Sequence, residues 1–277
     1  MATTLSADSV LVRNNVNVLG TEGRTLLFAH GFGCDQNMWR FVAPAFEEED
    51  QVVLFDHVGS GNSVLSAFDP AKYRTLHGYA QDVIDICDAL GKSEVVFVGH
   101  SVSAMIGMLA AIRRPDLFSH LVLVAPSPCY INDTGYVGGF ERQDIEELLD
   151  FLDSNYLGWS SALAPTIMGN PARPDLSQEL ENSFCRTDPT IAKHFARTTF
   201  LSDHRRDLPQ VQVPALILQC ADDVIAPLEV GEYMHRHLPH GTLVYMQATG
   251  HCPHVSAPEE TIAAIRQYLP ARVCDAG

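Results

Sequence analysis

Basic residues are scarce in this chain: 18 lysines and arginines stand against 34 aspartates and glutamates, for a formal net charge of −16. A surface of that sign repels phosphate backbones and anionic lipid, so neither nucleic acid nor a membrane is an expected partner. No apolar run approaches the length needed to span a bilayer. The opening residues, Met1-Ala-Thr-Thr-Leu-Ser-Ala-Asp-Ser9, lack the basic segment and apolar run of a secretory leader. The seven cysteines show no C-x-x-C spacing, which argues for reduced thiols rather than a disulfide frame. The expected location is therefore cytoplasmic. Internal repeats, low-complexity tracts and linkers between independent domains are also missing.

What is present is a large apolar fraction, 46% of 277 residues, enough for a substantial core. Short continuous apolar runs read as buried parallel strands: 25–29, 52–55, 95–98, 121–125, 215–219 and 242–246. Val10 to Val18 alternates as an edge strand would. Helical periods separate these runs, over 36–46, 75–90, 229–238 and 258–269. Alternating strands and helices imply an α/β fold with a mostly parallel sheet covered on both faces. From 133 to 208 the alternation stops, and helical stretches near 142–154, 157–168, 177–184 and 189–201 follow one another. The simplest organisation is a core of 1–132 and 209–277 with an all-helical lid, 133–208, inserted over the sheet edge.

The chemistry is carried by Gly99-His100-Ser101-Val102-Ser103, placed between a strand and a helix. Strand, sharp turn with a serine at its tip, then helix is the context of a nucleophile elbow. Ser103 stands where the second glycine of G-x-S-x-G usually sits, so the string alone is weak and its context decides. Acyl transfer by serine also needs a base, an orienting acid and oxyanion donors. His251, in a glycine-opened loop after the last strand, is the base, with His254 as competitor. Asp223, four residues before Pro227, is the acid, Pro227 being read as the first residue of the next helix. Its neighbour Asp222 is left to turn or capping duty. The N–H groups of Val102 and of Phe32, in His30-Gly31-Phe32-Gly33, are the expected oxyanion donors.

Other constellations fall short. Residues 56–63 lack the GK[ST] ending of a phosphate loop. His235, His237, His251 and His254 have no H-E-x-x-H spacing, so no metal is expected, and the reaction needs no cofactor.

Several strings resemble one group of proteins: Gly31-Phe-Gly-Cys-Asp-Gln36, Gly99-His-Ser-Val102, Ser103-Ala-Met-Ile-Gly107, Arg113-Arg-Pro-Asp-Leu-Phe118, Ser127-Pro-Cys-Tyr130, Gly138-Gly-Phe140, Leu218-Gln-Cys-Ala-Asp-Asp223 and Gly250-His-Cys-Pro-His254. Almost the whole chain is similar to the small α/β-hydrolases that include bacterial RsbQ and the plant karrikin and strigolactone receptors, and the last string is most like RsbQ. The resemblance implies an α/β-hydrolase fold with a four-helix lid over an apolar pocket, and the triad Ser101, Asp223 and His251. It implies pocket residues Phe32, Phe140, Trp159 and Phe200, with Leu163 where the plant receptors tend to carry a larger ring. It also implies a protein signalling partner, a phosphatase in RsbQ-like proteins. The expected function is a serine hydrolase of a small apolar ester or lactone that doubles as a small-molecule sensor. The alternative is a signalling protein whose main output is partner binding.

Overall fold

The computed structural model describes residues 6–20 and 23–270; Met1 to Leu5 and Cys274 lie outside them. Seven strands form one sheet: β1 (Asn17–Gly20), β2 (Thr25–Ala29), β3 (Gln51–Phe55), β4 (Val95–His100), β5 (Phe118–Val124), β6 (Ala215–Gln219) and β7 (Gly241–Tyr245). Their order is β1-β3-β2-β4-β5-β6-β7, with β1 antiparallel to β3 and every other pair parallel. β2 and β4 to β6 are buried on both faces, which explains their continuous apolar runs.

The strand pleat sorts the core into two layers. Leu27, Val53, Phe97, Leu121 and Ile217 face α2 (Leu76–Leu90), α3 (Val102–Arg113) and α8 (Leu228–His237). Leu26, Val52, Val98, Val122 and Leu216 face Trp39, Phe46 and α9 (Pro258–Tyr268). Between β5 and β6 run α4 (Arg142–Ser154), α5 (Tyr156–Met168), α6 (Pro174–Arg186) and α7 (Pro189–Phe200). Their apolar faces form a third cluster with Cys34, Met38, Tyr130 and Cys252, at the carboxyl ends of the strands. Among the described residues no helix is long and apolar enough to cross a membrane.

Three local expectations need correction. The alternating stretch from Val10 is not a strand: the Ser6 hydroxyl accepts from Ser9 N and starts α1 (Ala7–Arg13), and only Asn17–Gly20 pairs with the sheet. A buried ion pair, Arg13 Nη2 to Asp82 Oδ1 at 3.0 Å, pins α1 to α2, so a cap and a tertiary contact override the alternation. The expected helix 36–46 is two 3₁₀ turns, Gln36–Trp39 and Ala43–Phe46, because Pro44 cannot continue the i→i−4 ladder. Pro227 is the N-cap of α8 rather than its first helical residue.

Helix α3 lies close against β4 because Gly107 has no side chain. A Cβ there would stand 2.2 Å from Phe97 Cε1, inside a ring that is fully buried. Gly107→Val should therefore destabilise the protein by about 1–3 kcal/mol through overpacking. Urea unfolding should show a lower midpoint with an unchanged slope; an unchanged midpoint would contradict this account of the contact.

Candidate active site

Ser101 sits between the last residue of β4 and the first of α3, with φ 56° and ψ −122°. A non-glycine residue rarely occupies that region, and here its neighbours impose it. Ser101 N donates to Val124 O at 2.8 Å on β5, and Ala104 N donates to Ser101 O at 2.9 Å. The side chain is thereby held above the strand ends. Val102 opens α3, so its N–H precedes the first helical bond and is free of intrahelical duty.

Three of the expected side chains come together. His251 Nε2 lies 2.7 Å from Ser101 Oγ, and His251 Nδ1 lies 2.7 Å from Asp223 Oδ2. With neutral imidazole, Nδ1–H donates to the carboxylate and Nε2 accepts from the serine hydroxyl. The other carboxylate oxygen, Asp223 Oδ1, accepts from Ile225 N at 2.9 Å and Ala226 N at 3.1 Å. Asp223 is thus oriented before it orients anything else. Asp222 is exposed, and its role is in the backbone: Gly250 N donates to Asp222 O at 2.7 Å, registering the acid loop against the histidine loop.

His254 is excluded by its surroundings. It is fully buried, with its ring 4.5 Å from Trp39 and 4.3 Å from His100, and neither ring nitrogen has a partner. Burial and the nearby His251 and Arg40 push its pKa down to about 3, so it is neutral packing. His100 contributes through its backbone neighbours: its Nε2–H donates to His251 O at 2.7 Å. Burial and the adjacent imidazoles hold His100 well below the usual histidine range, which keeps this donor on a neutral ring.

A second serine–histidine pair lies behind the elbow. Ser103 Oγ is 2.7 Å from His57 Nε2 and donates to His30 O at 2.5 Å. The serine proton is committed to that carbonyl, so His57 donates to Ser103 and cannot be its base. Asp56 accepts from Gln36 N, Asn62 N and Asn15 Nδ2 rather than from His57. Ser103 is fully buried, and the pair ties the β2, β3 and β4 ends together. This is why a serine is accommodated where the elbow pattern has glycine.

Over Ser101 and His251 is a cavity of about 30 Å³, lined by Phe32, Tyr130, Leu180, Phe184, Thr199 and Phe200 among others. That is room for about two water molecules. Of the expected pocket residues, Phe32 and Phe200 line it, and their rings are 5.9 Å apart. Trp159, Phe140 and Leu163 do not reach it: Trp159 backs Phe32 edge-on at 5.9 Å, and the other two pack in the same helical cluster. Sequence reasoning missed Tyr130, Leu180, Phe184 and Thr199. Tyr130 stood in a noted string, and its buried ring packs against Phe200 at 5.2 Å. Cys34 and Cys252 also line the cavity, but burial raises both thiols, Cys34 to about 12, so neither competes as a nucleophile. Among the described residues no three or more histidine, cysteine, aspartate or glutamate side chains are arranged to hold a metal ion.

The histidine loop is clamped to the end of α5. His251 N donates to Ile167 O at 2.8 Å, and Asn170 Nδ2 bridges Met168 O at 2.7 Å and Thr249 O at 3.0 Å. Gly250, at φ 77°, permits this approach: a Cβ would stand 1.9 Å from Met168 O.

Residues 26–264 match the model of the alpha/beta hydrolase family. Karrikin insensitive 2 receptor CA of Petunia hybrida is 40% identical over 92% of this chain and 95% of its own length. A strigolactone esterase of Arabidopsis thaliana is 40% identical over 96% of this chain and 100% of its own. The solved structure of a hydrolase from Oleispira antarctica is similar with a TM-score of 0.94, at 44% identity, covering 97% of this chain and 98% of that one. With sheet, elbow and hydrogen-bonded serine, histidine and aspartate all in place, these matches along nearly the whole length make the chain a member of the α/β-hydrolase family.

Proposed function

We propose that the protein hydrolyses a small, uncharged ester or lactone by acyl transfer through Ser101, and that the same cavity serves as a small-molecule sensor. The observation that carries this reading is the unbroken line Ser101–His251–Asp223 facing a small, largely apolar cavity. In this reading Ser101 Oγ attacks the carbonyl carbon while His251 Nε2 takes its proton. The N–H groups of Phe32 and Val102 hold the oxyanion, and Asp223 stabilises the imidazolium. His251 then protonates the leaving alkoxide, and water, deprotonated by the same nitrogen, releases the acid.

The insertion 133–208 acts as a lid, since α5, α6 and α7 each contribute cavity residues: Ile167, Leu180, Phe184, Thr199 and Phe200. Free, mostly buried cysteines suit a reducing cytoplasm. The sensing role is supported by the relatives, one of which is a receptor and another an esterase; a protein partner that reads the occupied state belongs to the same proposal.

Three outcomes test the chemistry. Ser101→Ala should lower turnover of p-nitrophenyl acetate by at least about three orders of magnitude and abolish labelling by a fluorophosphonate, with circular dichroism unchanged. Retained turnover in the folded variant would remove Ser101 from the mechanism. Asp223→Asn should cost about 10⁴-fold in kcat, since an imidazole held in the wrong tautomer is a poor base. Asp222→Asn should stay within about twofold, and equal losses would mean that the acid is misassigned. Across p-nitrophenyl esters, kcat/KM should peak at acyl chains of about two to four carbons, because longer ones must displace packed rings. Phe200→Ala should move that peak to longer chains, and a long-chain optimum in the wild type would contradict the small cavity.

A further inference from the structure

Thr199 lies in the last turn of α7, next to Phe200, and faces the cavity over Ser101. It is 1% exposed, and its Oγ1 has no hydrogen-bond partner. A helical threonine or serine can turn its hydroxyl back to a carbonyl one turn earlier. This chain does so at other buried helix positions: Thr261 Oγ1 donates to Ala257 O at 3.1 Å, and Ser160 Oγ to Tyr156 O at 2.9 Å. The adjacent Thr198 donates to Tyr73 O at 3.2 Å. Among the fully buried serine and threonine hydroxyls of the described residues, Thr199 alone stands unpaired.

Most of the surrounding wall is apolar. Phe32, Leu180, Phe184 and Phe200 are apolar, and the hydroxyl of Ser101 is committed to His251. A buried donor left unpaired is unfavourable, and an apolar ligand placed against it removes any remaining chance of solvation. A ligand with an oxygen at that point relieves the penalty. A site built in this way rejects the analogue that lacks the matching group.

We infer that Thr199 is a specificity-determining residue that hydrogen-bonds a second oxygen of the substrate, away from the scissile carbonyl. The substrate class is then a small uncharged ester or lactone carrying an ether, carbonyl or hydroxyl oxygen besides the ester group. This rests on the esterase reading above. A hydroxyl offers one donor and two lone pairs, so it accepts each of these oxygens and has no charge to recruit an anion.

The test uses pairs of esters matched in shape, differing only by oxygen for methylene. On the acyl side they are p-nitrophenyl methoxyacetate and p-nitrophenyl butyrate; on the alcohol side, 2-methoxyethyl acetate and butyl acetate. In at least one pair the ratio of kcat/KM, oxygen member over methylene member, should fall about 5- to 20-fold in Thr199→Val. Thr199→Ser, which keeps the hydroxyl, should retain the wild-type ratio. Ratios within twofold of wild type in both pairs for Thr199→Val overturn the inference. A binding measurement separates this from failure of the esterase reading. In a Ser101→Ala background, methyl methoxyacetate should raise the Tm more than methyl butyrate does, and Thr199→Val should erase the difference. If the wild type cleaves none of the esters, the esterase reading fails and the binding result still decides the role of Thr199. Equal shifts, or no shift with either ligand, overturn it.

Discussion

The site depends on one strained residue. Ser101 is held at positive φ between β4 and α3, a conformation that costs on the order of 1–3 kcal/mol and persists only where the surroundings over-determine it. Here they do. β4 lies between β2 and β5 in the sheet, Ser101 N is bonded to Val124 O, and α3 is packed down on Phe97 through Gly107. The side chain has one place to go, above the strand ends, where the histidine loop meets it. Relaxing the turn would separate Ser101 from His251 and shift the first turn of α3.

Polar groups around the elbow divide in two: those behind it are paired or neutral, and Ser101 and His251, which face the cavity, are aligned for proton transfer. Ser103, His57 and His30 close a buried network among strand ends. Burial and the nearby His30 keep His57 well below the ordinary histidine range, so His57 carries no charge. His100 and His254 are likewise neutral, their rings tilted against one another, with His100 5.1 Å from the His251 ring. A neutral backing keeps positive charge away from His251, which must itself become cationic during acyl transfer.

Much of this could be read from residue order. The strand–Gly-x-Ser–helix string located Ser101, the glycine-opened loop after the last strand located His251, and the spacing to Pro227 selected Asp223 over Asp222, even though Pro227 proved to be a cap. These are local signals, each set within about ten residues by turn and strand chemistry. The cavity wall was less legible. Phe140, Trp159 and Leu163 are apolar residues of the helical insertion, as Phe184 and Leu180 are, and periodicity cannot tell which helix face meets the cavity and which meets another helix. The Val10 stretch failed for a related reason: its alternation was real, but the Ser6 cap and the Arg13–Asp82 pair lie outside any pattern along one segment. Ser103 departs from the glycine of the elbow pattern, and the carbonyl it bonds to, His30 O just after β2, lies outside any local string.

The clamp between α5 and the histidine loop couples two parts of the molecule that sequence keeps 80 residues apart. Ile167 presents its side chain to the cavity and its carbonyl to His251 N. A ligand that pushes on the first pulls on the second. An occupant that displaced Ile167 would shift the carbonyl that holds His251 N, and with it the base. Through that one residue, size would be felt both as exclusion from the cavity and as loss of proton-transfer alignment. A molecule too large to be turned over would leave its mark as a displaced helix on the outside of the protein.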